Sequence, residues 1–243
     1  QGHTSKTFNV HVRDDDKEYD RDYAEMDAMM HKAITIIQFK VEGQLIKKHP
    51  EWNMKERLLL DKIDYKQGTI KLGGKEYPLN DTYFPTIDPK DPYKLTHEEE
   101  DVVERLKNSF LGSERLQRHI RFLYTKGSLY KVYNGNLLYH GCVPLNEDGS
   151  FMKVRIFDKT YSGKALYDIL EHYARKGYYS IDPQEKQRGE DILWFIWKNK
   201  HSPVFGKERM ATFERYFIDA TETHEEPKNA YYRLFEKEEI VDK

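Results

Sequence analysis

Apolar residues recur at steps of four and three from Met26 through Met30, Ile34, Ile37 and Val41 to Leu45, so they share one face of a helix over about 23–48. Lys32, Lys40 and Lys47 fall on the opposite face. The expectation is a helix laid on a core by its methionine and isoleucine side, with its lysines in water. His49-Pro50 ends it, because a residue before proline is driven out of the α region. The segments 68–72 and 75–79 then flank Gly73-Gly74 and read as a hairpin with a glycine turn. Pro85, Pro89 and Pro92 make a loop that places a boundary near residue 90. Thr96 with Glu99 forms a capping box opening a helix whose inner face is Val102, Val103, Leu106 and Phe110. Gly112-Ser113 breaks it, Ser113 caps a further helix carrying Leu116, Ile120 and Leu123, and Gly127 terminates that one.

The second half alternates differently. The runs 129–133 and 136–140 flank Asn134-Gly135, a pair that takes positive φ cheaply and predicts a type I′ hairpin. His140 stands at the C-terminal end of its second strand, Gly141 lets the backbone bend there, and Pro144 closes the strand by removing a donor. Asp148-Gly149 reads as a turn and 152–157 as a strand. Ser162 caps a helix bearing Leu166, Ile169, Leu170 and Tyr173, with Gly177 as its stop. Residues 182–190 are polar and contain a proline, hence a loop, followed by a short apolar helix over 191–198 with Trp194 and Trp197. Residues 202–207 read as a turn, and 210–218 as either strand or helix. No repeat of fixed period is visible. The fold class is α+β, rich in helix, with short β-hairpins.

Composition narrows the function classes. The chain has 243 residues, enough for one large or two small domains. Forty basic against forty-two acidic side chains leave a formal charge of −2, which gives no electrostatic case for nucleic acid or an anionic membrane. The single Cys142 cannot form an intrachain disulfide, and no secretory signal is recognisable, so a reducing cytoplasm is expected. Apolar runs such as 193–197 fall far short of the roughly 20 residues that cross a bilayer, so no membrane span is expected.

Few residues bear candidate chemistry. The acidic run Asp14, Asp15, Asp16, Glu18, Asp20 and Asp22 lacks calcium-loop spacing and reads as a solvated arm. Cys142 could be a nucleophile, but without an identifiable histidine base a small buried strand residue is the better reading. Asn134 reads as a turn former, and His31 as a boundary histidine of its helix. His119 beside Arg118 and Arg121 could meet phosphate, against the plainer reading of a solvated helix face. His224 with Glu222, Glu225 and Glu226 could gather a metal, against that of a charged loop. Gly206-Lys207 lacks the flanking residues of a P-loop. Trp194, Trp197 and the tyrosines read as core and subunit contact.

The stretch 137–149, Leu-Leu-Tyr-His-Gly-Cys-Val-Pro-Leu-Asn-Glu-Asp-Gly, resembles the class III, Firmicutes-type fructose-1,6-bisphosphatases of the calcineurin-like metallophosphoesterase superfamily. So do the blocks 30–34, 36–40, 57–63, 126–130 and 212–218, and the resemblance covers nearly all of the chain after about residue 25. It implies a two-metal phosphatase, usually with manganese, that removes the 1-phosphate of fructose-1,6-bisphosphate in gluconeogenesis. Paired divalent ions about 3.5–4 Å apart clamp attacking and leaving oxygens and lower the pKa of a bridging water. Of the superfamily's ligand motifs only the His-Gly strand end is present, as His140-Gly141, and His140 is the one metal ligand the resemblance implies. No Gly-Asp pair or Asp-Arg-Gly occurs, Gly135-Asn136 is followed by leucine, and Gly2-His3 is the only Gly-His pair, at the wrong end.

The chain is therefore expected to be an internal segment of the full enzyme. Residues 1–125 would be a helical insertion with a small hairpin, and 126–243 part of the αββα metallophosphoesterase core. One imidazole cannot hold two metals, so inactivity and no metal occupancy are expected of the chain alone. The alternative is a noncatalytic module for oligomer assembly or effector binding. Homo-oligomerisation would also cover its exposed strand edges.

Overall fold

The computed structural model describes residues 21–241, with side chains from Ala24 to Ile240. The Gly2-His3 pair and the acidic run lie outside the described residues, save for the backbone of Asp22. Two compact units share the chain: one runs to Leu116 and takes in Phe213–Ala220, the other holds Gln117–Thr212 and the chain from Thr221. The units divide at 116, where the sequence reading divides the chain at 125, and the return of 213–220 to the first unit had no counterpart in the sequence pattern.

In the first unit, helix α1 (Arg21–Lys48) ends where proline demands and passes into a 3-10 turn, Pro50–Trp52, whose tryptophan is buried against His49. Its expected orientation holds only in part: Ile37 is buried and Lys47 exposed as the pattern predicts, but most of the methionine and isoleucine side turns outward. Met26, Met30, Ile34 and Val41 are exposed, while the side bearing Lys32, Lys40, Ile36 and Phe39 is buried. The reason is electrostatic pairing: Lys40 Nζ donates to Glu99 Oε2 at 2.7 Å and to the Thr86 carbonyl at 2.5 Å, and Lys32 Nζ donates to Asp81 Oδ2 at 2.6 Å. Buried charges are tolerated only with such partners. The pairing also lets the apolar groups between the lysines reach the core.

The expected hairpin forms as β2 (Thr69–Leu72) and β3 (Lys75–Pro78), with Gly73 and Gly74 at positive φ, and gains a short third strand, β1 (Ile63–Asp64). Thr69 pairs with Pro78 and Ile70 with Tyr77, which turns Ile70 into a core of Ile36, Phe39, Leu60 and Phe84. Helix α2 (His97–Leu111) carries the full capping box: Thr96 Oγ1 accepts from the Glu99 amide and Glu99 Oε2 from the Thr96 amide. Its expected inner face stays largely open, Leu106 and Phe110 being exposed. Helix α3 (Glu114–Lys126) follows, with no side chain fully buried.

In the second unit, most of α3 is followed by the Asn-Gly hairpin, β4 (Tyr130–Tyr133) and β5 (Asn136–Tyr139), turned by Asn134 at φ 49° and Gly135 at φ 76°. The strand expected over 152–157 is β6 (Val154–Ile156), paired with an unforeseen β7 (Lys159–Tyr161). Helix α4 (Gly163–Tyr179) runs past Gly177, and residues 183–190, expected as loop, are the first half of helix α5 (Pro183–Lys198). The signal was present and misread: Asp182 caps the helix by accepting from the Glu185 amide at 2.8 Å, and Pro183 opens it at a position where proline is favoured. Gly177 stops nothing. A Cβ there would lie 2.7 Å from the Gly189 carbonyl carbon, so the two glycines are where α4 and α5 touch backbone to backbone.

Segment 210–218 resolves as helix α6 (Thr212–Phe217), whose Phe213 and Phe217 stack into the first unit's core beside Phe39 and Phe84. Arg57 grips Glu214 of this helix at 2.5 Å. Two short helices, α7 (Tyr231–Leu234) and α8 (Glu238–Val241), close the described chain. The arrangement is α+β, with helices and short antiparallel strand pairs.

Candidate functional site

His140 sits one residue beyond β5, exposed to solvent. What fixes it is the chain on its C-terminal side. Gly141 has φ 89°, and a Cβ there would come within 2.1 Å of the Pro203 carbonyl oxygen, so only glycine fits both the dihedral and the approach. The next amide, Cys142 N, donates to that same oxygen at 2.7 Å, and the Tyr167 hydroxyl donates to the Cys142 carbonyl at 2.8 Å.

The turn beneath is itself rigid. Fully buried Ser202 donates its hydroxyl to the Ile196 carbonyl at 2.6 Å and accepts from the Val204 amide at 3.1 Å. Asn229 braces the far side by accepting from the Leu145 amide at 3.1 Å. Tyr139, the last strand residue, shares a hydroxyl–hydroxyl hydrogen bond with Tyr231, and burial raises its pKa above the ordinary phenol value. The result is one solvent-facing imidazole on a rigid mount.

Cys142 is fully buried, and burial pushes its thiol pKa up to about 12, so it is protonated at neutral pH and unfit as a nucleophile. That agrees with its reading as a small buried residue. Asn134 is the turn former. His119, Arg118 and Arg121 lie on an exposed helix face. Lys207 is paired with Glu226 at 2.6 Å, and Glu226 also accepts from the Ala211 amide at 3.0 Å. Trp197 is exposed rather than core, and the fully buried tryptophan is Trp52.

Sequence reasoning missed His201, one residue before the turn, whose burial lowers its pKa to about 4. It also missed the contact between Gly141 and Pro203; the Gly-Cys pair hinted at close packing, but its partner lies 62 residues on and left no local trace. His31 lines a cavity in the first unit, remote in sequence from His140.

Among the described residues, no three His, Cys, Asp or Glu side chains gather where they could hold a metal ion. No helix among them is long and apolar enough to cross a membrane.

Comparison with known proteins gives the chain its relatives. The chain is 53% identical over 230 residues to the fructose-1,6-bisphosphatase class 3 1 of Clostridium beijerinckii, a match covering 95% of this chain and 35% of that protein. It is 58% identical over 212 residues to the class 3 enzyme of Clostridioides difficile, covering 87% and 32%, and 54% identical over 229 residues to that of Clostridium tetani, covering 94% and 35%. The chain thus spans about a third of the length of the curated relatives it matches. No solved structure matches it. The family model described as Firmicute fructose-1,6-bisphosphatase matches residues 1–243, from end to end, and the chain belongs to that family.

Proposed function

We propose that this chain is the part of a class 3 fructose-1,6-bisphosphatase that contributes one corner of its phosphomonoester-hydrolysing centre, with His140 as a metal ligand and manganese as the ion. The observation that carries the reading is the mount of His140: a solvent-facing imidazole held by Gly141 against Pro203, in a chain of this family. Neutral imidazole suits a first-row divalent ion, and a fixed ligand loses little entropy on binding one.

The described residues do not by themselves fit a two-metal centre, since no three His, Cys, Asp or Glu side chains among them gather where they could hold even one ion. The remaining ligands, in this reading, belong to the relatives' length that the chain does not span. Substrate fructose-1,6-bisphosphate, a gluconeogenic role and a cytoplasmic setting belong to the same proposal. So does the division into an insertion over 1–125 and a calcineurin-like core over 126–243.

The test uses a protein of the relatives' full length. His140→Ala should lower manganese-dependent hydrolysis of fructose-1,6-bisphosphate by at least about 100-fold, since loss of a direct ligand should exceed the 10–100-fold typical of an outer-shell partner. The present chain alone should release no phosphate. Full activity in the variant, or turnover by this chain, would overturn the proposal.

A second reading has its own support. Within the second unit Phe122, Leu123, Val132 and Leu138 are exposed large apolar side chains. A noncatalytic assembly or effector module would use such surface. Under that reading His140→Ala leaves activity intact while changes at Phe122 or Leu123 break assembly.

A further inference from the structure

The hairpin that delivers His140 is apolar on both faces. Val132 and Leu137 stand opposite each other on one face and are 63% and 54% exposed, while Leu138, opposite Lys131 on the other face, is 53% exposed. Strands that are apolar on both sides belong in sheets covered on both sides. The two-residue turn makes Tyr133 and Asn136 a hydrogen-bonded pair, so the Val132 and Leu137 amides point outward along the two edges. Among the described residues neither strand has a second neighbour in a sheet, and a two-stranded hairpin by itself is marginal in water.

The Val132–Leu137 face bounds a cavity of ≈ 240 Å³ together with Tyr130, Tyr139, Phe151 and Tyr167. The polar groups of its lining are already committed. The Tyr130 hydroxyl donates to Asp168 at 2.9 Å, the Tyr167 hydroxyl to the Cys142 carbonyl at 2.8 Å, and Lys164 to Asp168 at 2.6 Å, while Tyr139 shares its hydrogen bond with Tyr231. A polar small molecule needs free groups to orient it. An apolar side chain needs only the space, and an apolar cavity of about 150 Å³ already admits a benzene ring.

Length and placement indicate what fills it. The chain spans 35% of the Clostridium beijerinckii protein, which leaves about two thirds of that protein outside the match. His140 follows β5 directly, so the donors that the phosphatase reading still requires must arrive at this strand end. A strand laid along β5 runs about 4.8 Å away and brings its own end beside the imidazole. We propose that an extended apolar segment, from the part of the family's chain outside this match, pairs with the edge of β5 and sets one large apolar side chain in the cavity. The proposal rests on reading this chain as part of a class 3 enzyme, but burial of the hairpin does not require the imidazole.

The test is hydrogen exchange at the outward Leu137 amide, read by mass spectrometry with fragmentation. Exchange should be fast in this chain and at least about 100-fold slower in a protein of the relatives' full length. His140→Ala in that longer protein should keep the protection. Leu137→Asp should leave the melting of this chain unchanged, because the side chain is already half in water, and should restore fast exchange at the Tyr139 amide in the longer protein. Equally fast exchange in both proteins, or protection that survives Leu137→Asp, would overturn the proposal. Protection that appears in this chain alone as its concentration rises would seat a second copy on the hairpin and overturn it as well. Protection alongside full activity in His140→Ala would support the docked strand and remove only the ligand reading.

Discussion

Glycines at positive φ separate two physical demands that the sequence writes with the same letter. Gly135 at φ 76° has nothing within 4 Å of where a Cβ would stand, so Gly135→Ala meets only backbone strain, about 1 kcal/mol. Gly141→Ala meets that strain and the Pro203 oxygen at 2.1 Å together, and should cost roughly 2–4 kcal/mol in urea denaturation. Equal losses in the two variants would show that the His140 mount is looser than described. His201 gives a pH dependence. Burial, with a smaller push from the Lys200 charge, sets its folded pKa at about 4, below the 6.5 of an unfolded histidine. The unfolded chain therefore binds the extra proton more readily. Stability from this group is complete above pH 6.5 and is lost as pH falls to about 4, to the extent of roughly 3 kcal/mol. His201→Gln should flatten that limb of the stability profile; an unchanged slope would assign it to other groups.

Among the elements, helix ends and turns follow their local chemistry. Thr96 with Glu99, Asn134-Gly135, Gly73-Gly74 and His49-Pro50 each act within a few residues, and each is where its signal puts it. The miss at 183–190 came from weighing polarity above the Asp182-Pro183 start signal. Gly177 misled for another reason: its role depends on Gly189, on a different helix. That yields a prediction of opposite sign to helix propensity. Gly189→Ala would gain about 1 kcal/mol in an isolated helix. Here the added methyl would lie 2.1 Å from the Gly177 nitrogen, so the variant should unfold at lower denaturant, by several kcal/mol if the helices cannot part. A stabilised variant would place the contact wrongly.

On the scale of the whole molecule, α1 carries the main lesson. Its periodicity puts Met26, Met30, Ile34, Ile37, Val41 and Leu45 on one side, yet only Ile37 of them is fully buried, while Lys32 and Lys40 from the other side face the core and Lys47 stays in water. Lys40→Met tests this: with Glu99 left buried and unpaired, stability should fall by roughly 3–5 kcal/mol, and Lys40→Met with Glu99→Gln should recover part of it. A harmless Lys40→Met would mean that the pair is not sealed from water. His140 shows the same division of labour. Its place at a strand end before a glycine was legible, and so was the family. Its exposure and its rigid support were not, because Pro203, Ser202 and Asn229 reach it from 62 or more positions away.

The sequence by itself determined the Thr96 capping box, the glycine turns with the two hairpins they close, and the place of His140 at a strand end, since each depends on neighbours the backbone already holds close. Only the tertiary structure decided which side of α1 is interior, why Gly177 and Gly189 must be small, and what braces His140. Those outcomes rest on partners 49 and 59 residues apart for the two lysines, and chain order does not carry such pairings until folding closes the loops between them.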